Sequence, residues 1–167
     1  MKVYYDKKNK KLLVFQKKAD SIFWGDHWGE NIVVEDVVNR RNRLVKYITL
    51  KFLKPKARVL EGGCGRGQNV YLLNTLGYDA YGVDFAGETV AQIKKILPKL
   101  KILRQDVRSL KFSDKFFDGY WSLGVIEHFR DGYSDILKEA ARVIKDRGYL
   151  FVSFPYMSPI RKLKARL

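Results

Sequence analysis

The segment from Arg58 to Gly67 constrains the fold more than any other part of the chain. An apolar run ends there in the carboxylate Glu61, and three glycines follow at every second position, Gly63, Gly65 and Gly67, before a helical pattern begins. Glycine allows left-handed backbone angles and lets a ligand approach the main chain where a Cβ atom would collide. The segment predicts a strand, a tight turn and a helix. The turn either binds a ligand through its backbone or only connects the two elements.

A second strand that ends in an acid favours the ligand interpretation. The helix closes at Gly77, and residues 79–84 then have the pattern of a strand ending at Asp84, 21 residues after Gly63. An acid about 20 residues beyond a glycine turn, at the end of the next strand, is placed to hold the two hydroxyls of a ribose. We therefore expect a ligand that contains a nucleoside.

The glycine spacing does not fit a dinucleotide. A dinucleotide loop has the pattern Gly-x-Gly-x-x-Gly, and Gln68 occupies its third glycine position here. Glu61 would also sit badly beside a pyrophosphate but well beside an amine. The run from Val59 to Gly67 resembles the first motif of the class I S-adenosylmethionine-dependent methyltransferases, Val-Leu-Glu/Asp-x-Gly-Cys-Gly-x-Gly. The resemblance implies a three-layer α/β Rossmann-like fold and S-adenosyl-L-methionine as the cofactor.

The resemblance also implies which loops hold each part of the cofactor. The methionine moiety would lie on the glycine turn with Glu61 near its ammonium group, and Asp84 would take the ribose. Asp106 lies 22 residues after Asp84 and would accept a hydrogen bond from the adenine amine, while the N–H of Val107 meets a ring nitrogen. The predicted cofactor-binding residues are Glu61, Gly62, Gly63, Gly65, Gly67, Asp84, Phe85, Asp106, Val107 and Leu123.

Two of these residues have an ordinary structural alternative. On the residues alone, Asp106 suits a turn-forming acid as it leaves the third strand, residues 100–103. Phe85 either packs on the adenine face or belongs to the core.

The rest of the pattern predicts alternating strands and helices, hence an open parallel sheet with right-handed crossovers. The acids Glu35 and Asp36 begin a leading helix that carries Val37, Val38, Leu44, Val45, Ile48 and Phe52 and ends before Pro55. Later helices carry the apolar sets Val70, Leu73 and Leu76, then Val90, Ile93 and Leu97, then Ile136, Leu137, Ala140, Ala141 and Ile144. A turn at residues 146–148 leads into a fifth strand, 149–155.

The resemblance implies a sheet of about five strands in the order 3-2-1-4-5, without the last antiparallel strands of the family. We expect residues 35–167 to form the cofactor-binding domain, incomplete at its carboxyl end, and residues 1–34 to form a hairpin and an aromatic arm. Trp24 and Trp28 in that arm suit a flap over the ligand or a staple onto the domain. The fifth strand would be an exposed apolar edge, which a homodimer or the basic tail could cover.

Composition limits the class of protein. The 167 residues suit one domain, and no apolar run approaches the roughly 20 residues of a membrane span. The start lacks a signal peptide, so we expect a cytoplasmic protein. Cys64 is the single cysteine and His27 and His128 are the only histidines, so we expect no disulfide and no metal site. The net charge of +15 suits RNA as a partner, or is only a solvated basic surface.

The candidate catalytic residues follow the fourth strand, residues 116–124. Glu127 and His128 leave its carboxyl end, where parallel α/β sheets form their ligand crevice. His128 suits a general base near neutral pH, or it ties down a loop through hydrogen bonds. The run from Ser122 to Phe129 resembles small-molecule methyltransferases of the quinone-biosynthesis type.

The predicted function is therefore methyl transfer from S-adenosyl-L-methionine to a small-molecule acceptor. Ser122-Leu123-Gly124 stands where amino-nitrogen methyltransferases carry Asn/Asp-Pro-Pro-aromatic, and no Pro-Cys pair supports cytosine methylation. The alternatives are a non-catalytic cofactor- or RNA-binding module, an RNA methyltransferase and a nicotinamide oxidoreductase. A polyamine synthase shares the fold, but a basic protein is a poor host for a polycation.

Overall fold

Strands alternate with helices along most of the described chain. The computed structural model describes residues 2–6, 11–15, 31–39, 42–129, 132–155 and 158–160. Its strands are β1 (Lys2–Asp6), β2 (Lys11–Phe15), β3 (Arg58–Gly62), β4 (Asp79–Asp84), β5 (Lys101–Arg104), β6 (Phe117–Leu123) and β7 (Ile144–Ser153). Its helices are α1 (Val34–Val38), α2 (Arg43–Phe52), α3 (Gln68–Thr75), α4 (Gly87–Ile96) and α5 (Ser134–Val143), with a 3-10 turn at Ile126–His128.

The strands form two sheets. β1 and β2 pair as an antiparallel hairpin, as predicted. The other five form one sheet in the order β5-β4-β3-β6-β7, and every pair in it is parallel. Counted from β3, this is the predicted order 3-2-1-4-5. Because the strands are parallel, their carboxyl ends meet along one rim, where this class of fold binds its ligands.

Two hydrophobic clusters, one on each face of the sheet, make the domain three layers deep. One cluster joins the sheet to α2, α3 and α4, and its buried members include Val45, Val59, Val70, Ile93 and Trp121. The other joins the sheet to α5, and its buried members include Leu60, Val83, Tyr120, Ile136 and Val143. Burial on both faces accounts for the apolar character of the central strands.

The prediction of a single leading helix is wrong. α1 ends at Val38 and a separate helix, α2, begins after Asn42, whose side chain accepts a hydrogen bond from the backbone N–H of Val45 at 3.1 Å. An asparagine cap of this kind starts a new helix. Two of the apolar residues assigned to the leading helix, Leu44 and Phe52, are 59% and 41% exposed.

The junction between α5 and β7 also differs from the prediction. Ile144, assigned to the helix, is the first residue of β7 and pairs with Phe117. The end of the helix is bonded directly to the entry of β6, since Phe116 N–H donates to the Val143 carbonyl at 2.8 Å. Residues 146–148, predicted to form a turn, lie inside β7, where its pairing with β6 shifts in register. Arg147 has a φ of 63° there. Leu137, one of the apolar residues assigned to this helix, is 37% exposed.

β7 lies at one edge of the sheet. Within the described residues it pairs only with β6, and no antiparallel strand joins this sheet. Tyr149 and Leu150 on β7 are about 40% exposed. The homodimer across this edge and the boundary at residue 34 stay predictions, and Trp24 and Trp28 lie outside the described residues. None of the helices in the described ranges has the length and apolar character needed to cross a bilayer.

Candidate functional site

The glycine turn between β3 and α3 adopts the conformation that its sequence predicts. Gly63, Gly65 and Gly67 have φ values of 70°, 50° and 74°. The turn is bonded to the end of β4, because the N–H groups of Gly63 and Cys64 both donate to the Val83 carbonyl, at 2.8 and 3.0 Å. The turn therefore lies at the carboxyl rim of the sheet, beside the second loop of the predicted site.

Packing explains part of the glycine requirement, which sequence reasoning missed. A Cβ atom on Gly62 would overlap the hydroxyl of Tyr120, and one on Gly63 would overlap Val125. A Cβ atom on Gly67 would overlap Ile102. Gly62 therefore leaves room for a core tyrosine in addition to any contact with a cofactor.

Asp84 connects the second loop to the glycine turn. Its Oδ2 accepts from the N–H of Gly65 at 2.8 Å and its Oδ1 accepts from the N–H of Ala86 at 2.9 Å. The residue is 5% exposed. Burial raises the pKa of this carboxyl, and the backbone hydrogen bonds oppose that rise. Asp84 thus stabilises the turn itself, and its predicted contact with a ribose would use the remaining lone pairs.

Glu61 is the most unusual group in the site. Its Oε1 accepts a hydrogen bond from Asn69 Nδ2 at 2.6 Å, but its Oε2 is buried and has no hydrogen-bond partner among the described residues. Burial is the main cause that raises the pKa of Glu61 from 4.5 to about 8, and the nearby charge of Asp84 adds to it. A buried carboxyl oxygen without a donor is costly unless a cation or donor reaches it.

Asp106, in the third loop, already has a partner. Its carboxylate binds Arg108, with Nη2 and Oδ2 2.6 Å apart, and this pairing lowers the pKa of Asp106. Arg108 in turn lies 5.3 Å from the ring centroid of Phe129, beyond β6. The Ser109 N–H donates to the Asp106 carbonyl at 3.0 Å, so the residue also forms the turn that was its structural alternative. Binding of an adenine amine would require Asp106 to share its oxygens with Arg108.

The other predicted cofactor residues lie along or just below the same rim. Phe85 and Leu123 are half-buried, and the side chain of Val107 belongs to the core on the α5 face. Leu123 packs against the cluster on the opposite face. The backbone contact predicted for Val107 does not depend on its buried side chain.

The candidate catalytic residues lie on the 3-10 turn that follows β6. Glu127 Oε2 is buried and has no hydrogen-bond partner among the described residues. The other oxygen, Oε1, faces Gly124, where an added Cβ atom would lie 3.4 Å from it. His128 is half-buried, and its backbone N–H donates to the Val125 carbonyl at 3.1 Å. Because Val125 contacts the glycine turn at Gly63, both residues lie next to the predicted cofactor loops.

Sequence reasoning missed the residues that attach α1 to the glycine turn. Arg66 forms an ion pair with Asp36 at 3.3 Å, and Gln68 Nε2 donates to the Asp36 carbonyl at 2.9 Å. The only signal was the presence of polar residues between and after the glycines. These contacts place α1 beside the rim. In the described part of the chain, no three His, Cys, Asp or Glu side chains are grouped closely enough to hold a metal ion.

Comparison with known proteins identifies the family. A family model for a methyltransferase domain matches residues 60–152, more than half of the chain. The chain belongs to the class I S-adenosylmethionine-dependent methyltransferases. The matched region contains the glycine turn, Asp84, Asp106 and the 3-10 turn, so all the loops described above lie in the methyltransferase domain.

Curated relatives of the methyltransferase support this family. A Mycobacterium tuberculosis protein named "Probable S-adenosylmethionine-dependent methyltransferase" is 31% identical over 97 residues, 58% of this chain and 35% of that protein. Phthiotriol/phenolphthiotriol dimycocerosates methyltransferase 1 of Mycobacterium ulcerans is 34% identical over 119 residues, 69% of this chain and 42% of that protein. The chain thus spans about two fifths or less of the length of the curated relatives it matches.

A solved structure agrees with the fold of the methyltransferase. The crystal structure of a SAM-dependent methyltransferase from Aquifex aeolicus superposes with a TM-score of 0.58 over 80% of this chain and 71% of that one. The two sequences are 18% identical, so this similarity shows the fold alone.

Proposed function

We propose that the methyltransferase binds S-adenosyl-L-methionine at the carboxyl rim of the sheet and transfers its methyl group to a small molecule through an oxygen or carbon atom. The observation that carries the proposal is the pair of buried carboxyls at the glycine turn. Burial raises the cost of ionising both carboxyls, and the charge of Asp84 adds to the cost for Glu61. Glu61 also has an oxygen with no donor among the described residues. A ligand with an ammonium and a sulfonium relieves this cost, whereas a pyrophosphate increases it.

Each loop has a proposed role in holding the cofactor. The glycine turn receives the methionine moiety, and Glu61 stabilises its ammonium group. Asp84 accepts hydrogen bonds from the ribose hydroxyls, and Asp106 with the backbone of Val107 holds the adenine. Phe85 and Leu123 supply apolar surface beside the base. These roles follow the family motif, and the positions of the residues at one rim support them.

The cofactor supplies an electrophilic methyl group carried on a sulfonium. The protein then needs to align the acceptor with that methyl group in a dry site, because the displacement is in-line and disperses charge. We propose that Glu127 or His128 accepts the proton that the acceptor loses. The position of both residues on the 3-10 turn, which follows Val125 beside the glycine turn, supports this role.

Two observations favour a small acceptor. The run Ser122-Leu123-Gly124 ends β6 without the proline-rich pattern of amino-nitrogen methyltransferases. One relative is named as a methyltransferase of phthiotriol and phenolphthiotriol dimycocerosates. The similarity of residues 122–129 to the quinone-biosynthesis type suggests that candidate quinol precursors should be among the first acceptors tested.

Calorimetric titration of the chain tests the cofactor. S-adenosyl-L-methionine and its demethylated product are expected to bind, and NADH is expected not to bind. The analogue with a 2′-deoxyribose should bind roughly 10- to 100-fold more weakly, because hydrogen bonds to a charged group contribute about 1.5–3 kcal/mol. This comparison leaves Asp84 intact, which matters because Asp84 also stabilises the turn. Tighter binding of NADH than of S-adenosyl-L-methionine would refute the proposal.

The catalytic step is tested by turnover with candidate acceptors, followed by mass spectrometry for a gain of one methyl group. Glu127→Gln and His128→Gln should each keep cofactor binding, and the one that removes the base should lower kcat by about 100-fold or more. Unchanged kcat in both variants would contradict the assignment of the base to this turn.

RNA is the second candidate acceptor, and the net charge of +15 is the observation that favours it. Binding to phosphates weakens steeply with salt because neutralised phosphates release counterions. Methylation of RNA by the chain, with no turnover of small acceptors, would select this alternative. RNA binding without methylation would select the non-catalytic module.

A further inference from the structure

The outer face of α2 carries both apolar and basic side chains. Tyr47 and Leu50 are 62% and 53% exposed, and Leu44, at the side of the same face, is 59% exposed. The opposite face is buried at Val45 and Thr49. An ordinary surface helix is apolar on one face only, so a second apolar face indicates a surface that contacts something else.

The arrangement of these residues around the helix is regular. Arg43, Tyr47 and Leu50 are spaced i, i+4 and i+7, so they form one stripe along the centre of the exposed face. Lys46 and Lys51 flank the stripe on either side. The face therefore has Tyr47 and Leu50 at its centre, Arg43 at one end of the stripe and a lysine on each border. In this distribution the lysine stems can extend along an apolar medium while their charges reach its polar boundary.

The charged residues in α2 and on either side of it in the sequence all have one sign. From residue 37 to residue 60 the sequence contains eight lysines and arginines and no aspartate or glutamate. Arg43, Lys46 and Lys51 form no ion pair with another residue of the described ranges, and the same holds for Lys54 beyond the helix. The face is complementary to an anionic surface and repels a second copy of itself.

The helix is held rigidly against the domain. The Trp121 indole N–H donates to Thr49 Oγ1 at 3.1 Å, and the Tyr78 hydroxyl lies 3.3 Å from the Leu53 carbonyl, just past the helix. Both contacts are buried. The outer face is thus presented in a fixed orientation, without a cost of ordering on contact.

We propose that the outer face of α2, defined by Arg43, Leu44, Lys46, Tyr47, Leu50 and Lys51, docks the protein onto the surface of a membrane that contains anionic phospholipids. The leucines and the tyrosine enter the boundary between headgroups and acyl chains, and the cations bind the phosphates around them. This is the mode of binding of interfacial amphipathic helices. Nucleic acid is a poorer fit, because Leu44 and Leu50 would gain neither stacking nor hydrogen bonds on a phosphate backbone.

The test is sedimentation of the whole chain with vesicles of phosphatidylcholine containing 30% phosphatidylglycerol, compared with vesicles of phosphatidylcholine alone. The wild type should bind the anionic vesicles, bind the neutral ones far more weakly, and lose affinity at high salt. Lys46→Ala with Lys51→Ala should weaken binding about 25-fold, since each cation near the surface contributes about a factor of five. Tyr47→Ser with Leu50→Ser should weaken it at least tenfold.

Lys94→Ala with Lys95→Ala is the matched control. It makes the same change in charge at exposed positions in the last turn of α4, and it should leave vesicle binding within about twofold. Circular dichroism melting checks that each variant is folded, which is expected because all the altered side chains are exposed.

Three results would each overturn the proposal. The first is absence of wild-type binding to anionic vesicles. The second is that the Lys94 and Lys95 control pair weakens vesicle binding as much as the α2 lysine pair, or that the Tyr47 and Leu50 pair does not weaken it. Either result would show that vesicle binding depends only on net charge. The third is loss of single-stranded RNA binding in the α2 variants with vesicle binding unchanged, which would make the face a nucleic-acid surface.

Discussion

The buried carboxyl of Glu61 gives a prediction that couples stability to binding. With no cation beside it, Glu61 has a pKa of about 8 in the folded chain, against 4.5 for an ordinary glutamate. The folded protein therefore holds a proton that the unfolded chain has lost over the range between these two values. In that range the free energy of unfolding falls as pH rises. Below pH 4.5 both states are protonated, and the penalty disappears.

The size of the effect follows from the difference between the two values. Each pH unit is equivalent to about 1.4 kcal/mol. The penalty is therefore about 3 kcal/mol at pH 7 and reaches about 5 kcal/mol above pH 8. Glu61→Gln replaces the carboxyl with a neutral group that matches its protonated form and can still accept from Asn69. We expect the variant to equal the wild type at pH 4 and to be more stable by a few kcal/mol at pH 7.

Urea denaturation at intervals from pH 4 to pH 8 measures this difference. Glu88→Gln is the control, because it removes the same charge from an exposed position at the start of α4. The stability of the Glu88 variant should run parallel to that of the wild type. Parallel curves for Glu61→Gln as well would refute the reasoning, since they would show that Glu61 is ionised in the folded chain at no cost.

The same variant tests the cofactor. Glu61→Gln should bind S-adenosyl-L-methionine at least tenfold more weakly, because the ammonium group loses a carboxylate. Wild-type binding at pH 7 should release a proton, which calorimetry in buffers of different ionisation enthalpy detects. A variant that is more stable and binds equally well would remove Glu61 from the ammonium site while leaving the pKa argument intact.

Two further predictions concern packing near the site and under α2. Gly62→Ala should lower the free energy of unfolding by about 2–3 kcal/mol, because the new Cβ atom overlaps the Tyr120 hydroxyl. Adding Tyr120→Phe should recover part of the loss. If denaturation experiments show that the effects of the two substitutions simply add, the contact is contradicted. Thr49→Val should lower the free energy of unfolding by about 1–3 kcal/mol, because it leaves the buried Trp121 indole N–H unpaired. Thr49→Ser keeps the hydroxyl and should retain most of the stability. Equal losses for the two variants in denaturation experiments would exclude the hydroxyl as the cause.

Local patterns in the sequence were enough to predict the sheet and the glycine turn. The spacing of apolar residues and the positive φ values at Gly63, Gly65 and Gly67 depend on residues close together in the chain. The order of the five strands was implied by the resemblance to the family, and the structure has that order. Where a short polar residue starts a new helix, the same patterns are ambiguous. Asn42 caps a second helix within the segment that the apolar spacing predicted as one helix.

The sequence alone thus determined the fold class and the family, because the glycine turn and the acids after each strand lie in a fixed order along the chain. Only the tertiary structure decided what each polar group bonds to. It placed Asp84 on the N–H of Gly65 and left one oxygen of Glu61 without a donor among the described residues. Such contacts depend on distances between loops that follow different strands, and periodicity along the chain contains no information about those distances.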